Sequence, residues 1–257
     1  MLHGIFDTHA HYDDPCFAGR LDAVLAAQRA AGVETILNIG SDLPSSAASA
    51  ALAAAQPMMV AAVGVFPLSC AGLPANWLTE LEALAARPKV VAIGEIGLDY
   101  HEKDADRDTQ KAVFSAQLAL AARLGLPVEI HDREADPDML ALLRTARPAG
   151  EIHRFFGTPD YGRAYLALGL SLAIGPEITY PTGAHILETV RTMPMERMLL
   201  ETDAPFLPVA DRAGEKADSA MLIPVAQQIA ALRGISAQQV VDCTRDNARR
   251  LFGLGRS

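Results

Sequence analysis

The 257-residue sequence predicts an α/β protein folded as a (β/α)8 or TIM barrel. Short apolar runs rich in β-branched residues recur eight times, and alanine- and leucine-rich segments with helical spacing separate them. Polar residues gather where the apolar runs end. A doubly wound open sheet also alternates strands and helices. Because the polar strand ends come from all parts of the chain, we favour one closed barrel with a shared mouth.

The predicted strands span residues 4–9, 33–39, 58–66, 90–96, 127–131, 151–156, 170–174 and 197–201. The predicted helical segments span 20–31, 45–55, 76–86, 106–124, 134–146, 159–168, 183–192 and 219–251. Gly32, Gly125 and Gly169 each follow a predicted helix, at the position where a residue in the left-handed αL conformation commonly ends a helix. Ser236 with Gln239 forms a capping-box pattern that opens the last helix. Without an internal repeat or linker, we expect a single domain over residues 1–257.

The composition excludes several classes of protein. A chain that is 50% hydrophobic and 21% charged can bury a sizeable core. The net charge of −9 argues against a general nucleic-acid coat, although bound cations can still recruit a few phosphates locally. No apolar run is long enough to span a bilayer, and the N-terminus lacks signal-peptide features. The 3 cysteines are widely spaced and form no CxxC, so we expect a cytoplasmic protein without membrane contact or disulfides.

His9 and His11 end the first predicted strand within the sequence Phe-Asp-Thr-His-Ala-His. Side chains on a strand alternate faces, so these two imidazoles point the same way and provide half of a metal site. Alone, such a pair is as compatible with a structural role as with metal binding. Four of the 7 histidines, however, lie at the ends of predicted strands, which is improbable by accident.

Six candidate metal ligands converge at the predicted barrel mouth. They are His9, His11, Glu95, His131, His153 and Asp203. Four imidazoles and two carboxylates suffice for two divalent metal ions, with Mg, Mn and Zn all open. Glu95 is the candidate bridge between the ions, and Asp203 can also accept a proton from the attacking water. We expect the remaining histidines, His3 and a helical His185, to be solvated, whereas His101 can line the pocket.

A second group of side chains suits an anionic substrate. Arg133 lies two residues after His131, and its guanidinium can grip a phosphate. Arg154 follows His153 directly, and strand alternation leaves its role open. Glu129 and Glu201 are candidate partners of the ligands, with buried ion pairs as the alternative.

These residues resemble the TatD family of metal-dependent deoxyribonucleases, within the amidohydrolase superfamily. The resemblance runs from residues 6–11 to the Asn-Ala-Arg-Arg-Leu-Phe-Gly segment at 247–253, and is most specific at 94–100 and 201–205. It implies a barrel of the metallo-dependent hydrolase type and places the six candidates on the family's metal ligands. It also implies metal-dependent hydrolysis of DNA phosphodiesters, typically from the 3′ end.

Three departures from the family pattern fall near the substrate. Phe66 stands where the family often has histidine, and it cannot donate a hydrogen bond or bind an ion. Arg154 and Phe156 replace small residues after His153. The loop 207–219, which we expect to border the mouth, lacks the usual sequence after the last strand. The departures thus alter the predicted substrate-facing rim and leave the six candidate metal ligands intact.

We conclude that the sequence predicts a divalent-metal-dependent hydrolase, most simply a 3′–5′ deoxyribonuclease. Asp203, Glu95 and Arg133 are the predicted catalytic residues, and the predicted partner is DNA, bound at the mouth by a monomeric protein. The first alternative is a small-molecule amidohydrolase or phosphoesterase of the same superfamily. The second is a catalytically silent binding protein, which an intact set of six ligands disfavours.

Overall fold

The computed structural model describes residues 1–102 and 106–255. Within them, eight parallel strands pair in sequence order, β1 to β8. The strands are β1 Ile5–Ala10, β2 Val33–Ile39, β3 Met59–Val63, β4 Val90–Asp99, β5 Val128–Arg133, β6 Gly150–Ile152, β7 Ser171–Ile174 and β8 Met198–Leu200. The chain beyond β8 returns to β1, because Ala10 and Ala204 form a parallel bridge. The predicted (β/α)8 barrel is thus confirmed.

The helices alternate with the strands. They are α1 Leu21–Ala30, α2 Leu43–Ala55, α3 Trp77–Ala85, α4 Arg107–Leu124, α5 Asp136–Ala146, α6 Pro159–Ala167, α7 Leu187–Thr192, α8 Leu222–Arg233 and α9 Ala237–Leu251. The Ser236–Gln239 capping box opens α9 as predicted, and Gly234, with φ of 67°, separates α8 from α9. In the described ranges, no single helix is long and apolar enough to cross a membrane. The segments 219–233 and 237–251 reach the length and composition of a membrane span only when they are taken as one unit, and the chain bends by 107° between them.

Helix α9 closes one end of the barrel and leaves the other end open for a site. Ala248 of α9 and Phe252 join a buried apolar cluster contributed by β1, β2, β3, β4, β7 and β8. The rings of Phe252 and Phe6, near the start of β1, have centroids 6.1 Å apart. A second, larger core fills the space between the barrel and its helices. The carboxyl ends of the strands therefore face away from α9.

Some strands end earlier or later than the sequence predicts. β3 stops at Val63 because the next backbone groups bond to side chains: Gly64 N–H donates to Ser46 Oγ (3.0 Å) and Val65 N–H to Gln117 Oε1 (2.8 Å). β4 runs on to Asp99, which pairs with Arg133 of β5. The prediction of strand through 156 is wrong, since β6 ends at Ile152.

The segment 183–192 also differs from its prediction as one helix. Its first part belongs to a 3-10 helix, Pro181–Ile186, and only Leu187–Thr192 is α-helical. His185 therefore lies on a 3-10 turn at the mouth of the barrel rather than on an α-helix.

Candidate metal centre

The six predicted ligands lie together at the open end of the barrel. The imidazole Nε2 atoms of His9 and His11 are 3.1 Å apart, and each faces Asp203 Oδ1, at 3.8 Å and 3.6 Å. Glu95 Oε1 lies 3.0 Å from His131 Nδ1 and 3.3 Å from His153 Nε2. Glu95 Oε2 faces His9 Nε2 at 3.8 Å, so this carboxylate lies between the two groups of imidazoles.

The outward nitrogens of the first two rings are held by acceptors. His9 Nδ1 lies 2.7 Å from Glu129 Oε2, and His11 Nδ1 lies 3.0 Å from the carbonyl oxygen of Ile39. A carbonyl only accepts, so the His11 proton lies on Nδ1 and the lone pair of the neutral ring lies on Nε2. Glu129, which we predicted to be the partner of a ligand, contacts His9. These contacts orient both lone pairs into the site.

The other two rings are oriented in the same manner by buried carboxylates. His131 Nε2 lies 3.1 Å from Asp99 Oδ2, and His153 Nδ1 lies 3.1 Å from Glu201 Oε2. His131 thus presents Nδ1 to the site, whereas the other three rings present Nε2. The sequence analysis missed Asp99, although strand alternation from Glu95 puts residue 99 on the same face and provides a usable signal.

The electrostatics favour ionised carboxylates beside the imidazoles. Burial disfavours the charged form of Asp203, but a hydrogen bond with His11 and the surrounding histidines lower its pKa to about 2. The same balance, with His153 as the main charge, holds the pKa of Glu95 well below its usual range. Burial lowers the pKa of His9 to about 3, so that ring is neutral.

The donor set fits divalent metal ions. Two imidazole lone pairs 3.1 Å apart repel each other unless a cation or proton lies between them. Below them, Glu129, Glu151 and Glu201 are fully buried, and each has one carboxyl oxygen without a hydrogen-bond partner. Buried carboxylates are costly without compensating positive charge. Mixed nitrogen and oxygen donors suit Zn²⁺ and Mn²⁺, as in other hydrolytic sites.

Two glycines explain the sequence around Glu95. A Cβ on Gly94 would lie 2.2 Å from Glu129 Cβ, and a Cβ on Gly97 would lie 1.9 Å from the carbonyl oxygen of His131. Gly97 also has φ of 147°, which L side chains rarely adopt. These glycines allow β4 to approach β5 closely enough for Glu95 to meet His131.

We expect Gly97→Ala to lower the free energy of unfolding by about 3 kcal/mol, from overpacking against His131 added to backbone strain. Gly169→Ala is the matched control, because Gly169 also has positive φ but nothing lies within 4 Å of its added Cβ. Chemical denaturation measures the free energy of unfolding of both variants. Equal losses would show that the approach of β4 to β5 does not depend on this glycine.

Asp7 joins three segments beneath the site, a role that the sequence analysis missed. Its Oδ1 accepts from Thr202 N–H (3.0 Å) and His9 N–H (3.3 Å), and its Oδ2 accepts from the hydroxyls of Thr202 and Ser219, both at 2.6 Å. Ser219 ends the loop 207–219. This network fixes the ends of β1 and β8, and with them His9 and Asp203.

The two candidate arginines lie at different depths. Arg154 has φ of 45°, and this left-handed turn directs its guanidinium into the mouth, where Nη1 lies 3.3 Å from Asp203 Oδ2. The structure thereby answers the question that strand alternation left open. Arg133 lies further out, on the rim, with Nη1 3.7 Å from Glu102 Oε1.

A cleft of about 750 Å³ opens beside His131 and His153. Both arginines line it, as do His101, Phe156 and His185. His185 is exposed, as expected, but it is also held beside the cleft, because its ring nitrogens lie 2.9 Å from Thr182 O and 2.8 Å from Phe156 O. Leu207 also lines the cleft, so the loop 207–219 borders the mouth as expected.

The sequence from residue 6 to residue 253 matches the family described as TatD related DNase. The chain belongs to this family. The 3′-5′ ssDNA/RNA exonuclease TatD of Pantoea vagans is 37% identical over 259 residues, 97% of this chain and 100% of the relative. The metal-dependent hydrolase YabD of Bacillus subtilis is 33% identical over 253 residues, 97% of this chain and 99% of the relative.

The TatD homologue YJJV of Escherichia coli shares the fold closely. Its crystal structure superposes with a TM-score of 0.93 at 29% identity, covering 99% of this chain and 100% of that one. The predicted family is therefore confirmed together with the predicted fold.

The departures of this TatD-family chain from the expected pattern surround the metal centre. The Phe66 ring lies edge-on to the His131 ring, with centroids 4.7 Å apart. Arg154 reaches Asp203, and Phe156 is 46% exposed beside the same cleft. Phe66 and Arg154 therefore contact candidate ligands directly, and Arg154 and Phe156 also line the cleft that a substrate would enter.

Proposed function

We propose that this protein is a divalent-metal-dependent nuclease that hydrolyses DNA phosphodiester bonds from the 3′ end. The observation that carries the proposal is the convergence of four oriented imidazoles and two carboxylates beside an open cleft. Family membership supports it, as does the name of the Pantoea vagans relative, an exonuclease of single-stranded DNA and RNA. The same support extends the substrate to RNA.

The ligands divide naturally into two groups that share Glu95. His9, His11 and Asp203 would hold one ion, and His131 with His153 would hold the other. Divalent ions in such a site activate water as a nucleophile and polarise the phosphoryl oxygen. We infer two ions of Mg, Mn or Zn.

The surrounding residues supply positioning and proton transfer. Asp203, whose pKa is about 2, is ionised at neutral pH and accepts the proton of the attacking water. Arg154, beside Asp203, contacts a non-bridging oxygen of the scissile phosphate and stabilises the charge that develops there. Arg133, the arginine predicted to be catalytic, lies on the rim, so we assign it to the next phosphate and give the contact with the scissile phosphate to Arg154. Metal ions and two guanidiniums thus offset the acidic net charge locally.

The test is hydrolysis of 5′-labelled single-stranded DNA by protein stripped with a chelator and resupplied with Mg²⁺, Mn²⁺ or Zn²⁺. We expect shortening from the 3′ end, block by a capped 3′ terminus, two equivalents of bound metal, and loss of activity in His131→Ala. His3→Ala is the matched control, because His3 is exposed and its backbone contacts Gln238 of α9, at the closed end of the barrel. Bound metal without DNA or RNA cleavage would contradict the proposal and favour the small-molecule hydrolase.

We further propose that residues 1–257 form a single catalytic domain that works as a monomer in the cytoplasm. The three free cysteines support a reducing compartment. Size-exclusion chromatography with light scattering tests the oligomeric state, and fractionation of cells tests the location.

A further inference from the structure

The cleft beside the metal centre has an aromatic wall. Phe156, Tyr161, Tyr180 and His185 all line it. Exposed large hydrophobic side chains are few in the described part of the chain, and Phe156 is one of them at 46% exposure. A ligand that covers this ring would remove its apolar surface from water, which is favourable.

The Phe156 ring is held in place before any ligand binds. It packs edge-on against the His185 ring, with centroids 4.3 Å apart and an interplanar angle of 90°. His185 in turn contacts the carbonyl oxygens of Phe156 and Thr182 and so fastens the segment after β6 to the one after β7. A preorganised ring loses little conformational entropy when a flat ligand stacks on it.

The charges of the cleft suit a terminal nucleotide and its nearest phosphates rather than a long track of phosphates. Arg133 and Arg154 are its two guanidiniums, and four carboxyl side chains line the same cleft. These four are Asp132, Glu134, Asp136 and Glu177. Burial raises the pKa of Asp132 and Glu177 to about 7, which reduces their negative charge, yet a long run of phosphates would find only two guanidiniums among the described residues that line the cleft. A neutral aromatic base needs no such cation, and any base can stack on an aromatic ring.

We propose that this cleft binds the nucleobase of the 3′-terminal nucleotide, stacked on Phe156, with its phosphate directed to Arg154 and the metal centre. The inference rests on the proposed nuclease function and adds to it a base-reading subsite. Two side chains that depart from the family pattern, Arg154 and Phe156, build that subsite. We expect the substrate to have an unpaired 3′ end, because a base that enters the cleft must leave any pairing partner.

Phe206 is the competing platform. It is 58% exposed, and its ring centroid lies 5.5 Å from that of His11. It does not line the cleft, however, and no second ring fixes it from the far side among the described residues. We therefore assign the stacking to Phe156, and the experiment below distinguishes Phe156 from Phe206.

The experiment compares two single-stranded oligonucleotides that differ only in the terminal nucleotide, which carries adenine in one and is abasic in the other. For the metal-loaded enzyme we expect kcat/KM to be about tenfold higher with the base present, as base–aromatic stacking implies. The ratio does not depend on the fraction of active enzyme, so partial misfolding of a variant cancels.

Phe156→Ala should bring the ratio to about one, and Phe156→Trp should preserve it, because indole also stacks. Phe206→Ala and Leu124→Ala, at another exposed apolar residue, should leave it unchanged. A ratio near one in the unmodified protein, or a Phe156→Ala ratio like that of the parent, would overturn the subsite. A ratio lost in Phe206→Ala alone would move it to Phe206. No cleavage of either oligonucleotide would instead overturn the proposed function, and this inference with it.

Discussion

Replacing Asp203 by asparagine is expected to lower kcat for phosphodiester hydrolysis by about a thousandfold, the middle of the range for loss of a positioned general base. The amide has nearly the shape of the carboxylate but cannot accept a proton. It also removes the negative charge that faces His11 and Arg154. Single-turnover hydrolysis of labelled DNA, with metal content measured on the same sample, checks the result.

The matched control is Asp211→Asn, an exposed carboxylate in the neighbouring loop, which should retain full activity. Metal content matters because Asp203 is also a proposed ligand. A variant that loses metal and activity together would identify Asp203 mainly as a ligand. Activity within tenfold of the parent at full metal occupancy would contradict both roles.

The barrel and the convergence of the six candidate ligands were predictable because their signals are local. Each strand is a short apolar run, and glycines such as Gly125, with φ of 65°, mark helix ends in the sequence itself. His9, His131 and their partners stand at the ends of those runs. Once the barrel is assumed, its geometry brings all the strand ends together.

The substrate-facing surface was less predictable because it depends on contacts between distant segments. Arg154 enters the mouth through a left-handed turn that alternation along a strand does not anticipate, and it meets Asp203, 49 residues away. His185 gains its place from the carbonyl of Phe156, 29 residues away. Neither contact leaves a periodic trace in the sequence.

Metal ions must compete with a proton for His153, and this competition should make metal affinity strongly dependent on pH. Burial lowers the pKa of His153, but the charges of Glu201 and Glu95 outweigh burial and raise it well above the usual 6.5. Without metal the ring is therefore protonated at neutral pH, and a metal ion must displace that proton. We expect the apparent affinity for Mn²⁺ to rise by at least about tenfold per pH unit between pH 6 and the pKa of His153, because the pKa values of His11 and His131 are raised as well, and then to level off.

Titration calorimetry in two buffers of different ionisation enthalpy measures both the affinity and the protons released. The variant Glu201→Gln tests whether the charge of Glu201 raises the pKa of His153. Without the Glu201 charge, the pKa of His153 falls, so fewer protons are released at pH 7 and the pH dependence moves to lower pH. The limiting affinity should also fall by about tenfold, since a carboxylate that orients a ligand is lost. Glu188→Gln, at a glutamate in α7 that the site does not use, should behave like the parent. An affinity independent of pH between 6 and 8 would show that His153 is already neutral before the metal arrives.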